Sequence, residues 1–190
     1  ELIDWRALAA LQSHDVVAAK HAEVGPERRP THPPDTYVDE RYRIVAELGR
    51  GGMGAVYRAV DEGTGRVVAL KLLRGREALL TALFEREYRT LSKLAHPCVI
   101  QVYDFGCTRE GERYYTMELI VGSDLLASSP SPWLVTCARL RDVCTSLALL
   151  HAQRLVHRDV NPRNIRLDHS GRAKLLDFGA LMSFGIPTEL

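Results

Sequence analysis

A glycine cluster between two strand-like segments constrains the fold of this chain more than any other feature. Residues 41–48 and 55–60 alternate between polar and apolar side chains, as half-buried strands do. Between them the glycines follow the pattern G-x-G-x-x-G-x-V over residues 49–56. A dinucleotide-binding turn joins a strand to a helix, so this placement favours a β-hairpin whose backbone N–H groups can approach phosphate oxygens. Taken alone, the same letters also occur in ordinary turns.

The remaining segments predict a mixed architecture. Further strands are expected at 66–73, 99–105 and 113–119, with shorter ones at 165–167 and 173–176. Apolar residues at helical spacing predict helices over 77–95 and 133–153. Because strands dominate the first half and helices the second, we predict an α+β fold with two lobes.

Composition excludes several classes of protein. The 190 residues are 46% apolar, which argues against disorder over the whole chain. With 25 basic and 24 acidic residues the net charge is +1, so a general nucleic-acid binder is not expected. No apolar run approaches the roughly 20 residues that span a bilayer. The four cysteines have no paired or metal-ligand spacing and are expected to be unpaired, buried thiols in a reducing cytoplasm: Cys98, Cys107, Cys137 and Cys144.

The first forty residues differ from the rest. Residues 1–25 predict an amphipathic helix of moderate quality, or a partly ordered tail. Four of the nine prolines fall between Pro26 and Pro34, so residues 26–40 are expected to form an extended linker. The chain begins at Glu1, without Met or a signal-peptide pattern. We therefore expect a fragment of a longer gene product, with fused domains possible beyond either end.

Residues able to carry phosphate chemistry follow the glycine cluster in order. Lys71 lies among apolar neighbours in a predicted strand, and Glu87 follows in the next helix. The pair could hold a nucleotide phosphate, although Lys71 taken in isolation is better interpreted as an edge lysine that extends to solvent. Asp159, Asn164 and Asp177 lie in predicted loops after the long helix. Carboxylates and an amide in such loops can bind Mg²⁺ and orient a hydroxyl nucleophile.

Together these motifs resemble the protein kinase superfamily, most closely the bacterial eukaryotic-like Ser/Thr protein kinases. The resemblance covers about residues 42–183 and includes His157-Arg-Asp159, Asp177-Phe-Gly179 and His96-Pro97. It implies a protein-kinase-like fold, with an antiparallel β N-lobe and one helix over 41–121. The first, mainly helical part of the C-lobe would follow over 122–190. It also implies ATP and Mg²⁺ as cofactors, and protein substrates with Ser/Thr acceptor hydroxyls.

The resemblance further implies a role for individual residues. Lys71, paired with Glu87, would contact the α- and β-phosphates, and Asp159 would be the catalytic base. Asn164 and Asp177 would hold Mg²⁺. Residues implied to surround the nucleotide are Gly49, Gly51 and Gly54 over the phosphates, Val56 and Ala69 in the adenine roof, Met117 behind the adenine, and Glu118 and Ile120 in the hinge. Residues matching an apolar spine are Leu91, Val102, His157 and Phe178.

The chain departs from the family pattern in three places. Asn161 stands where Ser/Thr kinases carry a Lys that contacts the γ-phosphate, and Arg163, two residues later, is a possible replacement or a surface arginine. Arg166 stands where an apolar residue usually lies under adenine, unless Leu167 takes that place. The chain also stops at Leu190, before the later C-lobe motifs. We therefore expect a truncated catalytic domain that is inactive as an isolated fragment.

Three interpretations follow from the sequence. The first is an active, cytoplasmic Ser/Thr protein kinase seen as its N-terminal part. The second is a pseudokinase or nucleotide-binding regulatory module with weak or no phosphotransfer. The third is an unrelated phosphate-binding protein in which the motifs occur by chance.

Overall fold

The computed structural model describes residues 32–51, 53–75, 77–128 and 130–184. The helix predicted over 1–25 and the first part of the predicted linker lie outside these residues. The chain divides into two compact units. In the described part, the first unit comprises 32–84 and 104–117, and the second comprises 85–103 and 118–184.

Ten strands, two α-helices and one short 3-10 helix make up the described chain. In chain order the elements are β1 (Tyr37–Val38), β2 (Tyr42–Gly51), β3 (Gly54–Asp61), β4 (Arg66–Leu73), α1 (Ala78–Leu91), β5 (Val102–Cys107), β6 (Arg113–Glu118), α2 (Trp133–Ala152), β7 (Leu155–Val156), the 3-10 helix (Pro162–Asn164), β8 (Ile165–Leu167), β9 (Ala173–Leu175) and β10 (Met182–Ser183). The α+β prediction is confirmed. Helix α1 ends four residues before its predicted end, because Ser92–Leu94 continue as hydrogen-bonded turns.

A six-stranded sheet in the order β1-β2-β3-β4-β6-β5 dominates the first unit. The hairpins β2–β3 and β3–β4 are antiparallel, and β2 carries two register irregularities, the second between Glu47 and Gly49. Such irregularities bend a strand and increase its twist. Strand β1 pairs with β2 through Tyr37 and Val38, which fall within the segment predicted as linker.

Side chains that alternate along the strands form the core of this unit. Ile44, Tyr57 and Leu70 are fully buried. The ring of Phe84 packs against that of Tyr115 with centroids 5.0 Å apart. Aromatic pairs of this kind add to the free energy gained by burying apolar area, and this pair fixes the middle of α1 on the sheet.

A buried carboxylate at the end of β3 binds Arg41, which directly precedes β2 and also contacts β5. Asp61 accepts hydrogen bonds from Arg41 Nε and Nη2, both at 2.7 Å, and Arg41 Nη2 also reaches Asp104 at 3.0 Å. Asp61 also accepts from Thr64 Oγ1 at 2.7 Å and from the Gly63 N–H at 3.0 Å. The Arg41 guanidinium holds the pKa of Asp61 well below its usual value of 3.8, and the Thr64 and Gly63 hydrogen bonds act in the same direction.

We expect Asp61→Asn to lower the free energy of unfolding at pH 7 by about 2 kcal/mol, the usual size of a lost hydrogen bond to a charged group. Because the folded-state pKa of Asp61 is depressed, its contribution is present above pH 3.8 and is lost as pH falls below that value. As pH falls from 5 to about 3, the free energy of unfolding should therefore decrease less for the variant than for the parent. Urea unfolding of the full-length gene product across this range measures both effects.

Glu62→Gln is the matched control, because Glu62 pairs with Arg43 on the surface of the same unit. An exposed pair contributes roughly 0–1 kcal/mol, so this variant should match the parent. An equal decrease in the free energy of unfolding in the two variants would contradict a specific stabilising role of Asp61.

Helix α2 packs on strand β9 in the second unit. Its buried residues, Val143, Ser146 and Leu150, recur at helical spacing. Ser146 Oγ donates to the carbonyl of Cys98 at 2.7 Å. Two small antiparallel ladders, β8–β9 and β7–β10, complete the unit. The second ladder pairs Val156 with Met182, so the chain after Gly179 returns to the strand that directly precedes His157-Arg-Asp159.

The cysteines are unpaired, as predicted, but only one is buried. Cys98 is buried, whereas Cys107, Cys137 and Cys144 are exposed. The prediction of buried thiols was therefore wrong for three of them. Cys137 and Cys144 are exposed because they lie outside the face of α2 that packs against β9. Neither helix of the described chain is long and apolar enough to cross a bilayer.

Candidate active site

The glycine hairpin is formed by the end of β2 and the start of β3, where Gly51 pairs with Gly54. A Cβ on Gly54 would lie 2.1 Å from the backbone oxygen of Leu72. Packing within the protein therefore requires glycine at 54. A Cβ on Gly49 or Gly51 would meet no atom within 4 Å, so packing makes no such demand there.

Strand register brings several predicted nucleotide-site residues of the first unit to one face of the sheet. Val56 pairs with both Gly49 and Lys71, and Ala69 lies two residues before Lys71. Opposite residues and residues two apart in a strand share a face. One face of the sheet therefore carries the glycine hairpin, Lys71 and the two predicted adenine-roof residues, Val56 and Ala69.

Lys71 is buried rather than extended to solvent at an edge, with 9% of its surface exposed. Its Nζ lies 5.7 Å from the centroid of the Tyr115 ring, within the range of a cation–π contact. Desolvation of an ammonium is costly unless it is compensated. The burial of Lys71 therefore favours the interpretation as a phosphate-binding lysine over that of an edge lysine that extends to solvent.

Glu87 lies on α1 and is 2% exposed. A carboxylate this deeply buried is rare in proteins unless it is paired. The predicted pairing of Glu87 with Lys71 stays a prediction.

The predicted hinge residues lie at the end of β6 and just after it. Met117 and Glu118 are half-buried in β6, and Ile120 is buried in the following loop. The Glu118 carboxylate accepts from Lys174 Nζ at 2.6 Å on both oxygens and from the Gln101 N–H at 2.8 Å. Sequence reasoning missed Lys174. Its signal was a position between the apolar residues Ala173 and Leu175 of a predicted strand, in a chain with few lysines.

The loop after β7 is organised by His157, which is 1% exposed. Its Nδ1 accepts from the Asp159 N–H at 3.3 Å, and its Nε2 lies 3.0 Å from the Leu176 carbonyl. Because one ring nitrogen accepts and the other faces an acceptor, these contacts describe a neutral imidazole protonated on Nε2. The ring also packs edge-on against Phe178, with centroids 4.9 Å apart. Of the four predicted spine residues, Leu91, His157 and Phe178 are buried and Val102 is half-buried.

Two amides hold the Asp159 carboxylate. Asn161 Nδ2 donates to Asp159 Oδ1 at 2.9 Å, and Asn164 Nδ2 donates to Asp159 Oδ2 at 3.0 Å. Asn164 Nδ2 also donates to the Asp159 carbonyl at 2.9 Å. The structure therefore brings Asp159, Asn161 and Asn164 together in one hydrogen-bonded cluster.

The amide of Asn164 has only one orientation that fits its surroundings. Its nitrogen faces two oxygens of Asp159, so its Oδ1 is left as an acceptor. Asp177 is half-buried and adopts a left-handed backbone with φ of 56°. An amide oxygen and a carboxylate are ligand types that suit Mg²⁺, which keeps several waters. Asn164 and Asp177 therefore provide ligand types that fit Mg²⁺. They supply only one carboxylate, and the described residues contain no cluster of three or more His, Cys, Asp or Glu that could hold a metal.

Arg163 and Arg166 differ in how their side chains are placed. The Arg163 side chain is exposed and makes no hydrogen bond or ion pair with another described residue, while its backbone N–H is held by Asn161. Arg166 Nη2 donates to the Gly122 carbonyl at 2.7 Å, and Leu167 is buried. A Cβ on Gly122 would lie 1.9 Å from the Leu167 oxygen, so glycine is required where this loop passes β8.

The first unit thus holds a glycine hairpin and a buried lysine, and the second holds a loop in which Asp159 is hydrogen-bonded to Asn161 and Asn164. The protein kinase domain family matches residues 42–188. The chain belongs to this family, whose members use ATP and Mg²⁺ in general.

Similar proteins come from several bacteria. The chain is 36% identical over 156 residues to the serine/threonine-protein kinase pkn2 of Myxococcus xanthus, covering 77% of this chain and 19% of that protein. It is 37% identical over 153 residues to the DNA damage-responsive serine/threonine-protein kinase RqkA of Deinococcus radiodurans, covering 77% and 23%. It is 35% identical over 150 residues to the serine/threonine-protein kinase PrkC of Bacillus subtilis, covering 75% and 23%. The matches thus span about a fifth of the relatives' length, and the resemblance to bacterial Ser/Thr kinases is confirmed.

Proposed function

We propose that this chain carries ATP-dependent transfer of the γ-phosphate to Ser/Thr hydroxyls of protein substrates, as part of the catalytic domain of a cytoplasmic kinase. The Asp159 cluster carries the proposal, because a carboxylate oriented by two amides suits a base that accepts a hydroxyl proton. Family membership and relatives named as Ser/Thr kinases support the same activity. A cytoplasmic location follows from the need for ATP.

The nucleotide is proposed to lie under the glycine hairpin. Gly49 and Gly51 have no packing reason to be glycine, which supports a role in letting phosphates approach the backbone. Lys71, with Glu87 as partner, is assigned to the α- and β-phosphates. The proposed adenine contacts are Val56 and Ala69, Met117, and the backbone of Glu118 and Ile120.

Magnesium is assigned to Asn164 Oδ1 and Asp177, and it would neutralise charge on the phosphates when bound. Asp159 would accept the proton of the substrate hydroxyl, and Asn161 and Asn164 keep its carboxylate in place. Arg163 is the proposed cation for the transferred phosphoryl group. Its exposed side chain and capped backbone support this role.

One observation favours a second candidate function, a nucleotide-binding regulatory module. The Ser/Thr kinase lysine is replaced by Asn161, whose amide is directed at Asp159 and carries no charge. A preorganised cation at developing phosphate charge lowers the barrier, so its loss would slow transfer if Arg163 does not compensate.

Phosphotransfer and nucleotide binding by the full-length gene product separate the two candidates. We expect millimolar Mg·ATP to raise the melting temperature, because a ligand that binds only the folded state stabilises it. Incubation with γ-labelled ATP and a generic protein substrate should yield phosphoserine or phosphothreonine, identified by mass spectrometry. A thermal shift without transfer would support the regulatory module, and the absence of both would contradict each candidate.

A further inference from the structure

The side chain of Asn161 uses both ends of its amide within one loop. Its Oδ1 accepts from the Arg163 N–H at 3.0 Å, which caps the 3-10 helix Pro162–Asn164. Its Nδ2 donates to Asp159 Oδ1 at 2.9 Å and points to the Asp159 carbonyl at 3.4 Å. Because a donor lies on one side and acceptors on the other, a single orientation of the amide satisfies every contact.

The Asp159 carboxylate is therefore held from two sides. Asn161 binds one oxygen and Asn164 binds the other, at 2.9 and 3.0 Å. Rotation of the carboxylate about its last torsion would lengthen both bonds at once. Each oxygen has two lone pairs, so an oxygen that accepts one amide hydrogen can still accept another.

We infer that Asn161 is a positioning residue, which fixes the plane and direction of the Asp159 carboxylate toward the substrate hydroxyl. The inference rests on the proposed function, in which Asp159 is the base. Reactive groups act well only when they are held within about 0.5 Å and 10–20° of the productive geometry. At a position where the Ser/Thr kinase pattern has a cation, this chain has a neutral amide directed at the base.

A purely structural role makes a different prediction, because the two functions of Asn161 use different atoms. Capping requires an acceptor at Oδ1, whereas positioning requires the donor at Nδ2. Serine and aspartate are both good capping residues. Asn161→Ser therefore keeps an acceptor for the helix and removes the amide donor without adding charge. Asn161→Asp keeps the acceptor and replaces the donor with a second carboxylate.

The test measures kcat, the KM for ATP and the melting temperature of the full-length gene product for these two variants. We expect both to lower kcat by about 10- to 100-fold, since a misplaced catalytic group costs up to about 10²-fold. The KM for ATP should change by less than about twofold in both variants, because the proposed nucleotide contacts are retained. The melting temperature of Asn161→Ser should match the parent, because capping is retained and the half-buried Asp159 oxygen can hydrogen-bond to water instead. Asn161→Asp should be the slower of the two, since like charges repel.

Asp159→Asn, assayed in parallel, separates failure of the inference from failure of the proposed function. If both Asn161 variants keep the parent's kcat while Asp159→Asn is inactive, Asn161 only caps the helix and the inference is wrong. A fall in the melting temperature of the uncharged Asn161→Ser that accompanies its loss of rate would assign Asn161 to loop stability and also contradict the inference. If Asp159→Asn retains the parent's rate, the proposed function fails and the inference fails with it.

Discussion

Asp159→Asn is expected to lower kcat for phosphoryl transfer by about 10³-fold or more, toward the upper part of the range for general base catalysis. The amide is the same size as the carboxylate but cannot accept the hydroxyl proton. The Mg·ATP-induced rise in melting temperature should persist, because the proposed nucleotide contacts lie elsewhere. Transfer from labelled ATP by the full-length gene product, with a thermal-shift assay on the same sample, measures both.

Asp168→Asn is the matched control for this experiment. Asp168 is also a loop carboxylate held by local hydrogen bonds, from Ser170 and from the Arg172 N–H, but it lies in the turn between β8 and β9. It has no proposed contact with substrate, so the variant should keep the parent's kcat. Comparable losses in the two variants, or a rate for Asp159→Asn within tenfold of the parent, would contradict the assignment of the base.

Gly54→Ala should lower the free energy of unfolding by about 3 kcal/mol, the upper part of the usual range for overpacking. The added Cβ would lie 2.1 Å from the Leu72 oxygen, and that atom is backbone of the neighbouring strand. The strand β3 or β4 must therefore shift, since neither atom can rotate away. Urea unfolding of the full-length gene product measures the loss.

Gly51→Ala separates the stability role of these glycines from the binding role. Its Cβ would meet no atom within 4 Å, and alanine in a strand costs no more than glycine. The free energy of unfolding should therefore stay within about 0.5 kcal/mol of the parent's. We expect its effect instead on nucleotide binding, as a raised KM for ATP. Equal destabilisation by the two substitutions would contradict this division.

Local sequence patterns were sufficient to predict the positions of the long strands and helices. Strands β2, β3 and β4 and helix α2 lie within a few residues of their predicted ranges, because alternation and helical spacing continue over many residues. The two-residue strands β1, β7 and β10 were missed. A pair of residues carries no periodicity, and these strands exist only because distant segments pair with them, as Met182 does with Val156.

Sequence alone determined the family, the order of the motifs and which residue types could carry phosphate chemistry, since these depend on identity and spacing along the chain. Only the tertiary structure decided which of the glycines packing requires, that Lys71 is buried, and where the amide of Asn161 points. These properties depend on the distance between atoms that the chain brings together through folding. Asn161 shows the difference most clearly. The sequence shows only that Asn stands where the family pattern has Lys. The hydrogen bonds show that this residue is one of two amides that hold the Asp159 carboxylate.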